Sequence, residues 1–440
     1  MTTASRSSVL LPRASAAIDN LRAFVILLVL SFHAVLAYLD FLPRSPFPFD
    51  SPPYLWRAFP IVDTTRWFGF DLFCAWQDVF LMSLFFFVSG LFVWRSIERK
   101  GIRTFLRDRI VRLAVPFAFV VVLLMPIANY PTYMQTALDP SLAAFWRHWL
   151  ALPFWPCGPM WFLWLLLMAD FAAAALRRFA PSWGATLIRF SGSAGARPTR
   201  YFAVLIIVSA CAYVPLALAF TPSAWAALGP FGFQLSRPLH YAVYFFAGMG
   251  LGAYGIERGL FAPDGALVKR WSLWLIVALG SLLLWMVLTA IAMTDAGSPA
   301  LGWQILDDLS FVFACFSSCF AVLALVLRLP DGDYRCRALS SATHMACIWC
   351  IICLSSGCNM RCSAPGSWRS ARARSYSAAR CCSAGAPLPR SDASPRPPRS
   401  SAPTDHAARL HKSLGHNRPD TMDRLQLLGH THVPHLVVEG

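Results

Sequence analysis

The amino-acid sequence predicts an all-α, polytopic transmembrane helix bundle, and three observations carry that expectation. Hydrophobic residues make up 57% of the 440 and charged residues only 14%, well off the balance of an ordinary soluble domain. Apolar stretches of about twenty residues, the length that crosses a bilayer, recur along the chain. The segments joining them are alternately rich and poor in basic residues, the asymmetry that orients membrane helices.

Eight clear spans follow in order, at 22–40, 76–95, 113–129, 159–176, 201–220, 238–256, 272–293 and 309–328. The third is short and contains Pro116 and Pro126, which interrupt helix hydrogen bonding. The N-terminus carries Arg6 and Arg13. Every second loop after it is also basic, with Arg95, Arg99, Lys100, Arg103 and Arg107 in one and Arg177, Arg178, Arg189 and Arg197 in the next. The intervening side holds few arginines. This pattern predicts a multi-pass protein of the inner (plasma) membrane with a cytoplasmic N-terminus. The net charge of +16 therefore reflects topology and a basic tail, and no nucleic-acid partner is expected. The first span is followed by others, so it reads as a bundle helix rather than a cleaved signal.

The composition changes abruptly near Ser341, dividing the chain into a membrane domain at 1–341 and a tail at 342–440 rich in Ser, Arg, Ala, Pro and Cys. Eight of the thirteen cysteines lie at or after Cys336, including Cys347, Cys350 and Cys353. A Cys-x-x-Cys-x-x-Cys run can hold a metal or cluster only inside a folded surround, and this tail lacks the apolar residues to build one. No metal is expected. The tail reads either as a disordered basic segment or as the product of a frame change between Ser341 and Thr343. Moving the frame back one nucleotide permits Asn-Ala-Tyr-Gly-Met-Tyr-Leu-Val-His-Tyr-Leu, the start of a further apolar helix. On that reading the last one or two spans are lost.

The first span holds the most informative pair, Arg22 and His33. Eleven residues make about three helical turns, so both side chains share a face, about 16 Å apart along the axis. An ionisable group buried that deep costs several kcal/mol (roughly 3 or more) unless it faces protein or a wet cavity. Burial favours the neutral imidazole, so His33 is expected to keep a free ring nitrogen near neutral pH.

Further motifs accompany this pair. The second span ends FFFVSGLFVWRSIERKG, and RTFLRDRIVRLAVPF enters the third. Asp19, Leu21, Arg22 and His33, then Phe86, Phe87, Ser89 and Gly90, then Arg109, Arg112 and Pro116, and Gly158, Pro159, Trp161, Phe162 and Leu163 together resemble acyltransferase family 3. The likeness covers roughly 13–341. The restored Tyr-Gly-x-Tyr-Leu-x-His also looks like this family's closing motif. Residues 239–260 are most similar to a glucan-modifying branch, while Ala23 stands where the family often has glycine.

The resemblance implies an integral membrane enzyme that moves an acyl group, acetyl or succinyl, from a CoA thioester to a hydroxyl of a glycan. His33 would be the catalytic base, or the nucleophile that forms an acyl-histidine. Arg22, Arg109 and Arg112 would hold the phosphates of acyl-CoA through charge-assisted hydrogen bonds. Asp19 would orient Arg22, Ser89 would serve close helix packing, and Trp161 would line the cavity. His240 and Arg237, which open the sixth span, are candidates for acceptor contacts; His148 is expected to have no chemical role. The alternatives are a transporter or flippase, whose substrate path intramembrane charges would also suit, and an inactive truncated acyltransferase.

Overall fold

The computed structural model describes residues 13–262, 265–294 and 299–328. The described residues belong to one compact unit. The segment at 342–440, with its cysteine run and the inferred frame change, lies outside the described residues. So does the side chain of Asp19.

Helix α1 runs Arg13–Val35 and α2 runs Phe68–Gly90, followed by α3 at Val93–Lys100. The long helical segment α4 covers Ile102–Met134. Next come α5 at Leu142–Ala151, α6 at Trp161–Phe179, α7 at Pro181–Gly192 and α8 at Pro198–Phe220. A short hairpin pairs β1, Trp225–Leu228, antiparallel with β2, Phe231–Gln234. The described chain closes with α9 at Pro238–Tyr254, α10 at Trp271–Thr294 and α11 at Leu301–Arg328.

Among the described residues, seven segments are long and apolar enough to cross a membrane: those containing α1, α2 with α3, α4, α6, α8, α10 and α11. The remaining expected span is α9, which has only 17 residues, about 26 Å of helix. Its neighbours explain how so short a helix is held. A Cβ on Gly248 would lie 2.0 Å from the Phe87 carbonyl oxygen, and one on Gly252 would lie 1.8 Å from that of Leu91. Glycine at this four-residue spacing lets α9 press its backbone against α2. Gly90 answers from the other side, since its Cβ would meet the Phe245 carbonyl oxygen at 2.1 Å.

The expected third span is longer than its apolar core. It is interrupted by two π-helical turns, Ile110–Ala114 and Val120–Leu124. Each lies just ahead of a proline, Pro116 or Pro126. A proline ring clashes with the carbonyl four residues back and removes one hydrogen bond. A wider turn at that point absorbs the defect and lets the helix continue. The second span also begins earlier than 76, at Phe68, which sets Asp78 near the middle of α2 rather than at its end.

Large apolar side chains point outward on α4 (Val115, Phe119, Ile127), α8 (Ile207, Val208) and α10 (Ile276, Leu283, Val287). Such an outer surface suits lipid rather than water, and the chain is a multi-pass membrane protein. Helix α2 lies at the centre, packed against α1, α9 and α11. Helices α10 and α11 form an antiparallel pair tied by Ser281–Ser317 (2.6 Å) and Thr289–Asp307 (2.8 Å) hydrogen bonds.

Candidate active site

His33 is half-buried near the end of α1. Its Nδ1 lies 2.8 Å from the Val29 carbonyl oxygen, one turn back. A carbonyl oxygen only accepts, so Nδ1 carries the proton and donates. That bond fixes the tautomer, and the lone pair sits on Nε2. The edge of Phe32 packs against the ring, with centroids 5.3 Å apart.

The depth of His33 follows from how α1 and α2 pair. At one end the Arg22 guanidinium sits 4.0 Å over the Phe92 ring, a cation–π contact. At the other, the Asp40 backbone N–H donates to Asp71 Oδ2 at 2.9 Å. The helices therefore run antiparallel. Counting about 1.5 Å per residue from each marker sets His33 roughly level with 78–81 of α2.

The facing side of α2 has a distinctive pattern. From Gln77 to Trp94 the residues that are not buried are Asp78, Met82, Phe85, Ser89 and Phe92. Steps of four, three, four and three keep to one side of a helix. They form an open strip about 21 Å long. Arg22 closes its basic end at Phe92, and His33 stands near the level of its other end. Ser89 thus lies on the strip, beside Gly90 at the tight contact with α9. Phe162 of α6 approaches it too, its ring 5.0 Å from that of Phe85.

Asp78 is the feature that sequence reasoning missed. Its side chain is 47% exposed although α2 is central, and it is held by Arg237, whose side chain is 7% exposed. Arg237 donates through Nη1 to Asp78 Oδ1 at 3.0 Å and through Nη2 to Oδ2 at 2.6 Å. A third bond runs from Nη1 to the Asp78 carbonyl oxygen at 3.1 Å. Phe311 of α11 covers the guanidinium at 4.9 Å. This paired geometry is the strongest form of a carboxylate–guanidinium bond. Sequence reasoning selected Arg237 but not its partner.

Trp161 belongs to a relay of rings. Its centroid lies 5.9 Å from Tyr241 and 5.7 Å from Trp225 of β1. Tyr241 in turn stacks on Phe86 at 5.2 Å. His240 turns elsewhere. It is fully buried, with Nδ1 2.9 Å from Ser209 Oγ and Nε2 3.4 Å from Cys315 Sγ. Both nitrogens are engaged in the core, so the ring is a packing element between α8, α9 and α11. His148 lies in an exposed pair with Asp50 at 2.9 Å.

Arg109 and Arg112 do not share a face. The π-helical turn that begins at Ile110 rotates them apart. Arg109 Nε meets Asp170 Oδ2 at 3.2 Å, with Asp170 fully buried in α6, while Arg112 is exposed. Asp170 also went unnoticed in the sequence; a single acid inside an apolar span was the available signal. Among the described residues no group of three or more His, Cys, Asp or Glu could hold a metal ion.

With this geometry in view, a family model described as an acyltransferase domain, that of acyltransferase family 3, matches residues 15–349. No curated protein and no solved structure matches the chain.

Proposed function

The chain belongs to acyltransferase family 3, and from that premise we propose that it is an O-acyltransferase that draws on a cytoplasmic CoA thioester and acylates a carbohydrate hydroxyl. The acyl group is acetyl or succinyl. The N-terminus lies in the cytoplasm of a cell with its inner membrane as host, so Arg22 faces the donor side. The observation that carries this reading is the His33 ring, with its proton committed to Val29 so that its lone pair is on Nε2.

Arg22 and the exposed Arg112 take the nucleotide phosphates at the basic face, where guanidinium groups bind them in pairs of hydrogen bonds. Arg109, held by Asp170, adds fixed positive charge there. The strip of Phe92, Ser89, Phe85 and Met82 matches the slender, mostly apolar arm that joins those phosphates to the thioester. Trp161 and Trp225 offer flat aromatic faces near the acceptor. His33 Nε2 removes the proton from the acceptor hydroxyl as its oxygen bonds to the thioester carbonyl carbon. The carbon–sulfur bond breaks, the departing thiolate takes that proton, and an ester and free CoA leave. A neutral base of this kind contributes about 10²–10⁴-fold in rate.

The test uses native membranes and a radiolabelled acetyl- or succinyl-CoA. Label should appear in glycan, and His33→Ala should reduce transfer by at least about a hundredfold at equal protein level. Full transfer by His33→Ala would exclude this mechanism.

A further inference from the structure

Arg57 carries a charge that the described residues leave unanswered. It sits half-buried in the loop between α1 and α2, at the end of the bundle opposite Arg22. Its guanidinium lies 4.1 Å over the Phe154 ring, which holds it by a cation–π contact. Among the described residues none of its N–H donors meets an acceptor and no carboxylate pairs with it. By contrast, Arg66 of the same loop donates to the carbonyls of Asp63, Leu42 and Pro43, and Arg237 is locked to Asp78. The titratable group that acts on Arg57 is the Cys157 thiol. Burial pushes that thiol up, so it stays neutral and supplies no counter-charge. Burial also holds Arg57 below the ordinary guanidinium range, as befits a charge drawn partly out of water without a partner.

The neighbouring backbone suits an anion as well. Cys157 stands immediately before the turn that leads into α6, and the first turn of α6 contains no acid to neutralise the positive end of its dipole. Strand β2 borders the same place. A Cβ on Gly232 would come within 3.2 Å of Cys157 Sγ and 3.7 Å of Arg57 Nη2, so glycine keeps the strand clear of both. One turn beyond Cys157, the Trp161 ring meets Trp225 of the same hairpin. We propose that Arg57 binds an anionic oxygen group, a carboxylate or a phosphate ester, carried by the acceptor, so that the acceptor is an acidic glycan. This rests on the acyl-transfer reading and names its acceptor class. A guanidinium offers such a group two parallel hydrogen bonds, and the Phe154 ring fixes its plane beforehand. A neutral sugar leaves the guanidinium unpaired, and a site of that kind discriminates against such a ligand.

The experiment uses the full chain in nanodiscs with three probes: a glucose trisaccharide, the same trisaccharide with one glucuronate, and the same with one phosphate ester. Binding is measured by calorimetry without donor, and transfer is measured separately with radiolabelled acetyl-CoA. The parent chain should bind at least one acidic probe about tenfold or more tighter than the neutral one; which probe gains tells carboxylate from phosphate. Arg57→Gln should erase that preference, and Arg57→Lys, which keeps the charge but not the paired bonds, should retain part of it. Arg147→Gln, at a side chain 77% exposed, should keep the preference whole. Equal binding of all three probes by the parent chain overturns the proposal, as does a preference that survives Arg57→Gln or is lost equally in Arg147→Gln. Acidic-probe preference that depends on Arg57, with no transfer to any probe, would instead remove the acyl-transfer reading and leave the anion site standing.

Discussion

Replacing Gly248 with alanine should pry α9 away from α2. The new Cβ would stand 2.0 Å from the Phe87 carbonyl oxygen, whereas ordinary contact begins at 3.4 Å. The shortfall is about 1.4 Å, and a backbone oxygen cannot rotate aside as a side chain could. Overpacking of this kind costs about 1–3 kcal/mol, and a backbone clash belongs at the upper end. The same displacement reaches the Arg237–Asp78 bonds of 2.6–3.1 Å, which lose most of their strength beyond about 3.5 Å. Heating purified protein and following the folded peak by size exclusion gives the shift. Gly280→Ala on α10 is the control, since nothing lies within 4 Å of its Cβ. Alanine there should be neutral or slightly stabilising, because it favours helix by up to about 1 kcal/mol. If Gly248→Ala melted together with Gly280→Ala, the close approach of α2 and α9 would be refuted.

Two further outcomes follow from the buried polar contacts. Asp170→Asn should lower thermal stability by about 1–3 kcal/mol by leaving the partly exposed Arg109 without its charge partner. The pair Arg109→Met/Asp170→Leu should recover much of that loss while raising the KM for acyl-CoA, as read from melting curves and donor titrations. His240→Phe should cost about 1–2 kcal/mol through its lost bonds to Ser209 and Cys315. The yield of folded protein should fall, while activity per folded molecule stays close to that of the parent; a selective loss of acceptor affinity would return His240 to the binding site.

The succession of membrane helices was readable in the sequence because hydropathy acts locally. Asp78 was hidden by a boundary. A span begun at 76 sets Gln77 and Asp78 at its end, but the helix extends back to Phe68 and places them at its centre. Its partner Arg237 lies 159 residues away, a pairing that only tertiary structure reveals. Arg109 and Arg112 seemed one turn apart on a regular helix, and the π-helical turn undid that spacing. The prolines behind it were visible, but whether a proline breaks, kinks or widens a helix is decided by its surroundings.

The most direct measurement is chemical rescue of His33→Ala. Acyl transfer from radiolabelled acetyl-CoA to glycan is followed in membranes containing the variant, with and without added imidazoles of graded basicity. If an unprotonated ring nitrogen beside the strip accepts the hydroxyl proton, transfer should vanish in the variant and return with imidazole, faster for the more basic members of the series. Undiminished transfer without any imidazole would contradict the account.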